Sequence, residues 1–378
     1  MLYGIAAATT ALLLAAVLTA LLRAPARRLG VLDRRRQRPL PLFGGVAVAL
    51  VTCLVAAAGE WTGVAPLGDD ARDVLVAGAA VALLGLVADV RRVKARFLIG
   101  GTAVAAVCVV PYEGAGVPGG LLAVGWIVCV SVGFRALDHS DALTGTLGVV
   151  TAFGVGVCAA AEVMDGLAAL LSVLAAALTG FLMHNWPPAR VGLGSCGSLF
   201  TGFVLASAAV FTRTGYELAS SAGVLFALTA VAGADVVLVL LSRRLAGRPL
   251  LRRGPDHLAH RLRRLGLTPP GVTILLGVAA FSGVLVAVLV HLGWAAESRV
   301  LWVAGGALLV VLALLPIRVY GPRGSGGSGG SAGFGRTGGT GRTGRIGGSG
   351  GSPGSGASRS PHGSVSPQVS ARLRVRNG

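Results

Sequence analysis

The chain has 378 residues, of which 54% are hydrophobic and only 13% are charged, and its mean hydropathy is +0.77. Soluble domains carry about 25% charged residues, so this composition excludes an ordinary soluble domain and indicates a membrane protein. The net charge of +18 would suit a nucleic-acid binder, but the distribution of the basic residues favours a membrane topology instead. The five cysteines are scattered without a Cys-x-x-Cys pair, which predicts packing residues and neither disulfides nor a zinc site.

Eleven apolar runs have roughly the 20 residues that a helix needs to cross a membrane. The runs at 96–111, 119–134 and 197–212 are the shortest, and each contains Gly. The fold class predicted from all eleven is an all-α polytopic membrane protein with about eleven transmembrane helices. The runs cover residues 2–22, 41–58, 72–89, 96–111, 119–134, 142–160, 163–183, 197–212, 219–242, 271–291 and 299–317.

The loops between the runs differ in charge, and this difference predicts the orientation. If the N-terminus is outside, every Lys and Arg except Arg72, Arg213 and Arg299 falls in an inside loop or in the C-terminal segment. This asymmetry follows the positive-inside rule and places the C-terminus inside. We therefore expect a multi-pass protein of the cell membrane whose basic, active face is cytoplasmic, where it suits anionic headgroups and phosphorylated substrates. For any single Arg, topology alone is a sufficient alternative explanation.

Residues 321–378 differ in character from the rest of the chain. They are rich in Gly, Ser and Arg and contain no acidic residue. Such a segment cannot bury enough apolar surface to fold, so we expect a disordered cytoplasmic tail after a transmembrane domain at 1–320. The scattered Arg residues leave contact with RNA or anionic lipid open as an alternative to a solvated tail.

A polar break at 181–203 separates two apolar runs, and the rest of the chain is organised around it. Pro187 and Pro188 forbid a helix through the break, and its Gly residues allow tight turns or the close approach of a ligand. An apolar run begins directly after the break, so we expect free backbone N–H groups to point into it. Such a helix start suits a phosphate, with which Arg190 could also pair.

Three Asp residues lie at the inside ends of predicted helices. Asp89 ends the third run beside Arg91 and Arg92, so a local ion pair or snorkelling is the alternative to holding a metal or accepting a proton. Asp138 and Asp141 are three residues apart, so a helical turn would place both on one face. Two nearby carboxylates are what a Mg²⁺-diphosphate site needs, whereas helix capping is the alternative for Asp141.

A fourth acid, Asp235, falls inside the ninth run. An acid at that depth indicates a function, with a structural hydrogen bond as the alternative. In the following inside loop, His257 and His260 lie three residues apart on a predicted basic helix that Asp256 would cap. The two His could bind a diphosphate or a nucleotide, or the helix could simply lie at the membrane interface.

Together these loops resemble the polyprenyl-phosphate N-acetylhexosamine-1-phosphate transferases of glycosyltransferase family 4. This family includes the phospho-MurNAc-pentapeptide translocase and the undecaprenyl- and decaprenyl-phosphate GlcNAc-1-phosphate transferases. The resemblance covers about residues 1–320. It rests on P-x-P-x-hydrophobic-G-G at Pro39 to Gly45, G-L-I-D-D-x-R near Asp89, N-x-x-N-x-x-D-G-x-D-G from Arg135, N-[FW]-P-P-A-[KR] at Asn185 to Arg190, and D-H-L-H-H-R-L at Asp256 to Leu262.

The chain departs from these patterns mainly at charged positions. Such losses should cripple a Mg²⁺ site of the family's design, although a site rearranged around the remaining acids stays open. The departures are Ala88, Thr144 and Ser195 in place of acids, Ala259 in place of a His, and Arg135 and Asp138 in place of Asn.

The resemblance implies an enzyme that transfers a sugar 1-phosphate from a UDP-sugar to polyprenyl phosphate in cell-wall (peptidoglycan) or surface-polysaccharide synthesis, with Mg²⁺ as cofactor. By resemblance, Asp89 and Asp141 are expected catalytic residues and metal ligands. Asp138, which departs from the pattern, is the third expected catalytic residue because of its spacing to Asp141. The expected partners are polyprenyl phosphate, a UDP-sugar and membrane lipids, with a homodimer left open and no nucleic acid. The expected substrate- and phosphate-binding residues are Asn185, Arg190, His257, His260, Arg261 and Arg38.

Two other hypotheses remain open at this stage. The first is a catalytically inactive relative that binds polyprenyl phosphate or a partner enzyme as a regulator or scaffold, which the lost acids favour. The second is a transporter, which an internal inverted repeat would indicate; the sequence shows no such repeat.

Overall fold

The computed structural model of the chain describes residues 2–33, 39–91, 93–247, 254 and 256–317, and most of these residues are helical. Arg38 and the segment 321–378, where a tail is predicted, lie outside the described residues. The elements in chain order are α1 (Leu2–Arg28), β1 (Leu32–Asp33), β2 (Leu40–Pro41), α2 (Gly44–Trp61), α3 (Gly68–Val90), α4 (Ala95–Val109), α5 (Tyr112–Leu137), α6 (Leu143–Ala161), α7 (Asp165–Asn185), α8 (Gly194–Phe211), α9 (Leu218–Leu228), α10 (Ala230–Leu245), α11 (Leu258–Arg264), α12 (Pro269–His291) and α13 (Arg299–Leu314).

The helices confirm the predicted all-α membrane architecture. Among the described residues, eight helices are long and apolar enough to cross a membrane, and the pair α9–α10 makes a ninth if its two parts form one span. Helices α4 and α13 are apolar but have only 15 and 16 residues. Each of the eleven predicted runs therefore contains helix, whereas the number of spans and their orientation stay predictions.

The ninth predicted run is not a straight helix. Helices α9 and α10 meet at Thr229 and are bent by 87°. The bend separates the apolar half of the run from the half that carries Asp235, which is completely buried. Periodicity alone could not predict this break, because the run contains no Pro and stays apolar across the bend.

Helix α8 lies at the centre of the bundle, and nearly all of its residues are buried. It packs mainly against α3 and α5, and also against α2 and α6. The closest contacts are possible because Gly has no Cβ. A Cβ on Gly85 would lie 2.5 Å from the carbonyl oxygen of Ser195, and one on Gly45 would lie 2.2 Å from the nitrogen of Gly197. These contacts hold the first turn of α8 against the ends of α2 and α3.

A polar network lies just after the C-terminal end of α8. The guanidinium of Arg213 lies over the ring of Tyr216, 3.8 Å from its centroid, and donates to the Oγ of Ser220 at 2.8 Å. It also lies 3.0 Å from Nδ1 of His291, at the end of α12. The Tyr216 hydroxyl donates to Glu162 at the end of α6, at 2.6 Å. This network joins the ends of α6, α8 and α12 through side chains.

Candidate active site

The polar break lies between the end of α7 at Asn185 and the start of α8 at Gly194, with a cis peptide bond between Pro187 and Pro188. The loop between α1 and α2 docks onto it through the backbone. The N–H of Gly192 donates to Pro41 O at 2.7 Å, and the N–H groups of Gly44 and Gly45 donate to Gly192 O and Leu193 O at 3.1 and 2.9 Å. The P-x-P-x-hydrophobic-G-G and N-[FW]-P-P-A-[KR] patterns thus form one folded unit.

Asp89 reaches this unit from the end of α3. Its Oδ1 accepts the backbone N–H of Ser195 at 2.9 Å, and its Oδ2 accepts that of Cys196 at 3.0 Å. A carboxylate at a helix start satisfies orphan N–H groups and complements the helix dipole. The sequence predicted free N–H groups at the start of α8. That prediction is wrong for Ser195 and Cys196, because Asp89 already accepts from both.

Asp138 and Asp141 reach the same unit from the turn between α5 and α6. Oδ2 of Asp138 accepts the N–H of Gly194 at 2.9 Å, and Oδ2 of Asp141 accepts that of Ala189 at 3.1 Å. The two carboxylates do converge, but on a turn and not on a helical face as predicted. The capping alternative for Asp141 is also wrong, since α6 has no side-chain cap. We call Asp89, Asp138 and Asp141 the carboxylate cluster.

Asn185 links the turn to the break. It is buried, its Oδ1 accepts the N–H of Ala142 at 2.8 Å, and its Nδ2 donates to Val191 O at 2.7 Å. Arg190 lies at the same break with an exposed side chain, while its backbone N–H donates to His184 O at 2.9 Å. Asn185 is therefore used to shape the loop, whereas Arg190 is placed where it can meet a soluble ligand.

A second group of polar side chains lies beside the first, and we call His139, His257 and His260 the histidine cluster. The ring of His139 stacks on His257 with centroids 4.3 Å apart and meets His260 edge-on at 4.5 Å. Nδ1 of His257 lies 2.8 Å from Oδ2 of Asp235, whose Oδ1 accepts the N–H of Leu258 at 2.7 Å. Asp235, not Asp256, thus caps α11 and orients His257.

Two rings of the histidine cluster, His139 and His260, favour the neutral state. Burial, followed by the charge of His257, lowers the pKa of His139 to about 3, and its Nδ1 lies 2.7 Å from Ala136 O. Burial also lowers the pKa of His260, with His257 as the next cause. A neutral imidazole has one donor and one acceptor nitrogen. The Nε2 of His139 is buried and has no hydrogen-bond partner in the described structure.

Arg261 and Asp256 fix the loop that carries the histidines. Arg261 is 1% exposed, and its guanidinium donates to Leu314 O at 2.7 Å, to two further carbonyls after α13, and to the Oγ of Ser242 at 2.6 Å. Asp256 accepts from Nε of Arg243 at 2.8 Å, in a buried ion pair. A phosphate contact by Arg261, which the sequence predicted, would have to replace these bonds.

The carboxylate cluster as arranged does not fit the Mg²⁺ that the resemblance implies. Mg²⁺ demands near-octahedral oxygen ligands. Both oxygens of Asp89, and one oxygen each of Asp138 and Asp141, accept backbone N–H groups. Within the part of the chain that the structure describes, no group of three or more His, Cys, Asp or Glu side chains is arranged to hold a metal ion.

Sequence reasoning missed two residues of the site. His139 was not singled out, although its position between Asp138 and Asp141 in a polar loop was an available signal. Arg135 was noted only as a departure, yet its Nε–H donates to the Oγ of Ser195 at 3.2 Å. A cavity of about 320 Å³ lies elsewhere, between the starts of α3 and α7, and takes no part in either cluster.

The fold and site define a class: polytopic membrane enzymes with polar loops gathered at one end of a helical bundle. The profile of glycosyl transferase family 4 matches residues 72–213, which include the break and all three residues of the carboxylate cluster. A Streptomyces coelicolor protein that carries a provisional glycosyltransferase name is 64% identical over 86% of this chain and 81% of its own length. The chain belongs to glycosyl transferase family 4.

Two further relatives are named for their reactions. The decaprenyl-phosphate N-acetylglucosaminephosphotransferase of Mycolicibacterium smegmatis is 27% identical, over 84% of this chain and 89% of that protein. The phospho-N-acetylmuramoyl-pentapeptide-transferase of Symbiobacterium thermophilum is 34% identical, over 37% of this chain and 40% of that protein. The expected resemblance is confirmed, and with it a multi-pass membrane protein related to sugar-phosphate transferases.

Proposed function

We propose that this chain transfers a sugar 1-phosphate from a UDP-sugar to polyprenyl phosphate at the cytoplasmic face of the cell membrane. The observation that carries the proposal is the convergence of Asp89, Asp138 and Asp141, from α3 and the α5–α6 turn, on the start of α8 and the loop before it. A phosphoryl transfer depends mainly on such positioning of charged groups.

The reaction is a displacement at the phosphorus that bears the sugar. An oxygen of polyprenyl phosphate forms a bond to this phosphorus, the bond from the phosphorus to the bridging oxygen of UMP breaks, and UMP leaves with the electron pair. Asp141 is the proposed proton acceptor for the attacking phosphate, and Asp89 and Asp138 set the loop geometry. Both act through backbone N–H groups at the start of α8.

The histidine cluster is the proposed contact for the nucleotide phosphates. Because Nδ1 of His257 faces Asp235, Nε2 is the ring nitrogen left to meet a ligand. His260 is half-buried and thus more accessible than His257, which is 7% exposed. The exposed Arg190 adds a positive charge at the same end of the bundle.

The carboxylates of the cluster already accept backbone N–H groups. This favours one alternative, an inactive relative that binds polyprenyl phosphate or a partner enzyme.

The test uses the purified full chain, labelled UDP-GlcNAc and other UDP-sugars, and decaprenyl phosphate. The expected result is a labelled lipid and UMP in equal amounts, lost in Asp141→Asn and kept in Asp73→Asn, which alters an exposed acid of α3. A folded protein that binds UDP or decaprenyl phosphate but forms no lipid product with any donor would establish the alternative.

A further inference from the structure

Two of the replaced motif residues contact each other in the folded chain. Ser195 stands where the family pattern has an acid, and Arg135 stands where it has Asn. They are 60 residues apart, yet the Nε–H of Arg135 donates to the Oγ of Ser195 at 3.2 Å. One replacement removes a negative charge and the other adds a positive charge at the same point. The contact therefore brings both charge changes to the same point of the folded chain.

The surroundings of this pair are those of the carboxylate cluster. The backbone N–H of Ser195 donates to Asp89, and the preceding N–H, of Gly194, donates to Asp138. The charge of Arg135 lies near enough to interact with the Asp89 carboxylate. Ser195 is 5% exposed, whereas Arg135 is only half-buried. Arg135 therefore lies against Ser195 and near the Asp89 carboxylate, and part of its side chain is open to solvent.

We infer that the guanidinium of Arg135 takes the place of a divalent ion in this site, so that the chain binds the diphosphate of its substrate without Mg²⁺. A guanidinium stays charged at all physiological pH values and matches phosphate oxygens with paired N–H donors. It also repels a second cation at the same point. The diphosphate as ligand rests on the proposed function, whereas the absence of a divalent-ion site does not.

The first experiment measures Mn²⁺ binding to the purified full chain by electron paramagnetic resonance, which needs no activity. The wild-type chain is expected to bind no stoichiometric Mn²⁺. The double variant R135N/S195D restores the residue types of the family pattern at these two positions and adds a carboxylate near Asp89. It is expected to bind about one ion per chain, lost again when Asp89→Asn is added. The single variant S195D separates the new acid from the removed guanidinium.

The second experiment measures binding of UDP in excess EDTA. The wild-type chain is expected to bind UDP equally well with EDTA and with Mg²⁺. Arg135→Asn is expected to weaken binding about 10-fold to 100-fold, the effect of losing a charge-assisted contact. Arg96→Asn is the matched control, because Arg96 is an exposed Arg of α4 that faces the ring of Phe97. Thermal unfolding of each variant reports whether it is folded.

The outcomes separate this inference from the proposed function. A wild-type chain that binds one Mn²⁺, lost in Asp89→Asn, overturns the inference whatever the transfer activity. UDP binding that requires Mg²⁺, or that Arg135→Asn leaves unchanged, also overturns it. A double variant that folds but binds no ion contradicts the placement of the cation at Ser195. If the Mn²⁺ and UDP results hold but no UDP-sugar gives lipid product, the inference stands and the proposed transfer fails.

Discussion

The carboxylate cluster and the histidine cluster lie side by side and use their polar atoms differently. Asp138 and His139 are consecutive residues, but the first accepts a backbone N–H of α8 and the second stacks on the ring of His257. The carboxylates shape the backbone of the central helix and its loop. The histidines are held by one another and by Asp235, and burial lowers the pKa of His139 to about 3. The carboxylate cluster thus sets the loop geometry and includes the proposed proton acceptor Asp141, whereas the histidine cluster is the proposed contact for the nucleotide.

Asp89→Asn is expected to have the largest effect on the carboxylate cluster, because it removes the acceptor of two backbone N–H groups of α8. An amide offers one oxygen and an NH₂ group, so one N–H of α8 would face another donor. We expect transfer to be abolished and the free energy of unfolding to fall by about 1–3 kcal/mol. Turnover and thermal unfolding measure the two effects. Full rate with full stability would show that Asp89 is not part of the site.

Arg261→Ala should destabilise the loop that carries the histidine cluster. The buried guanidinium satisfies carbonyls after α13 and the hydroxyl of Ser242, and its loss leaves these groups without a partner. We expect a loss of about 3 kcal/mol in the free energy of unfolding. The control is Arg263→Ala, at an exposed position of the same helix. Equal melting temperatures for the two variants would contradict the structural role.

Gly194→Ala tests the fit between the carboxylate cluster and α8. Gly194 has φ +74°, and an added Cβ would lie 2.6 Å from Oδ2 of Asp89. Gly215 has φ +86° with open space around it, so Gly215→Ala measures the backbone strain alone, about 1–2 kcal/mol. We expect Gly194→Ala to destabilise more than this control in a thermal unfolding experiment. Equal effects would show that Asp89 is not held against α8.

The smallest expected effect is a change in stability at acid pH, and it tests whether the His139 ring of the histidine cluster is neutral. The pKa of His139 falls from 6.5 to about 3 on folding, so between these values the unfolded chain binds more protons. The contribution of His139 to stability is therefore constant above about pH 6.5 and decreases as the pH falls toward 3. His139→Gln should flatten this decrease in melting temperature between pH 7.5 and 5. An unchanged slope in His139→Gln would contradict a neutral, buried ring.

Local patterns were enough to predict the helices and the convergence of Asp138 and Asp141. Each apolar run became helix, and Pro187 and Pro188 did mark the break between α7 and α8. Asp138 and Asp141 were predicted to act together, and they do converge. Spacing along one segment carries this information, because it depends only on chain geometry.

What could not be predicted depends on contacts between distant segments. Asp89 is 106 residues from Ser195, and Asp235 is 22 residues from His257, so no local period links them. The same holds for the contact between Arg135 and Ser195. The helix-start pattern indicated donors for a phosphate, but it could not show that carboxylates of two other segments accept from them. Contacts between distant segments decide which partner each of these polar side chains has.

The most direct test of the account is the transfer rate of the wild-type chain beside that of Asp141→Asn, with labelled UDP-GlcNAc and decaprenyl phosphate. Asp141 is the informative position, because its carboxylate accepts the backbone N–H of Ala189, which lies in the loop before α8 and not in the helix itself. We predict lipid product from the wild-type chain and none from a variant with an unchanged melting temperature. Equal rates for the two proteins would show that the carboxylate cluster is scaffolding and that the chemistry lies elsewhere.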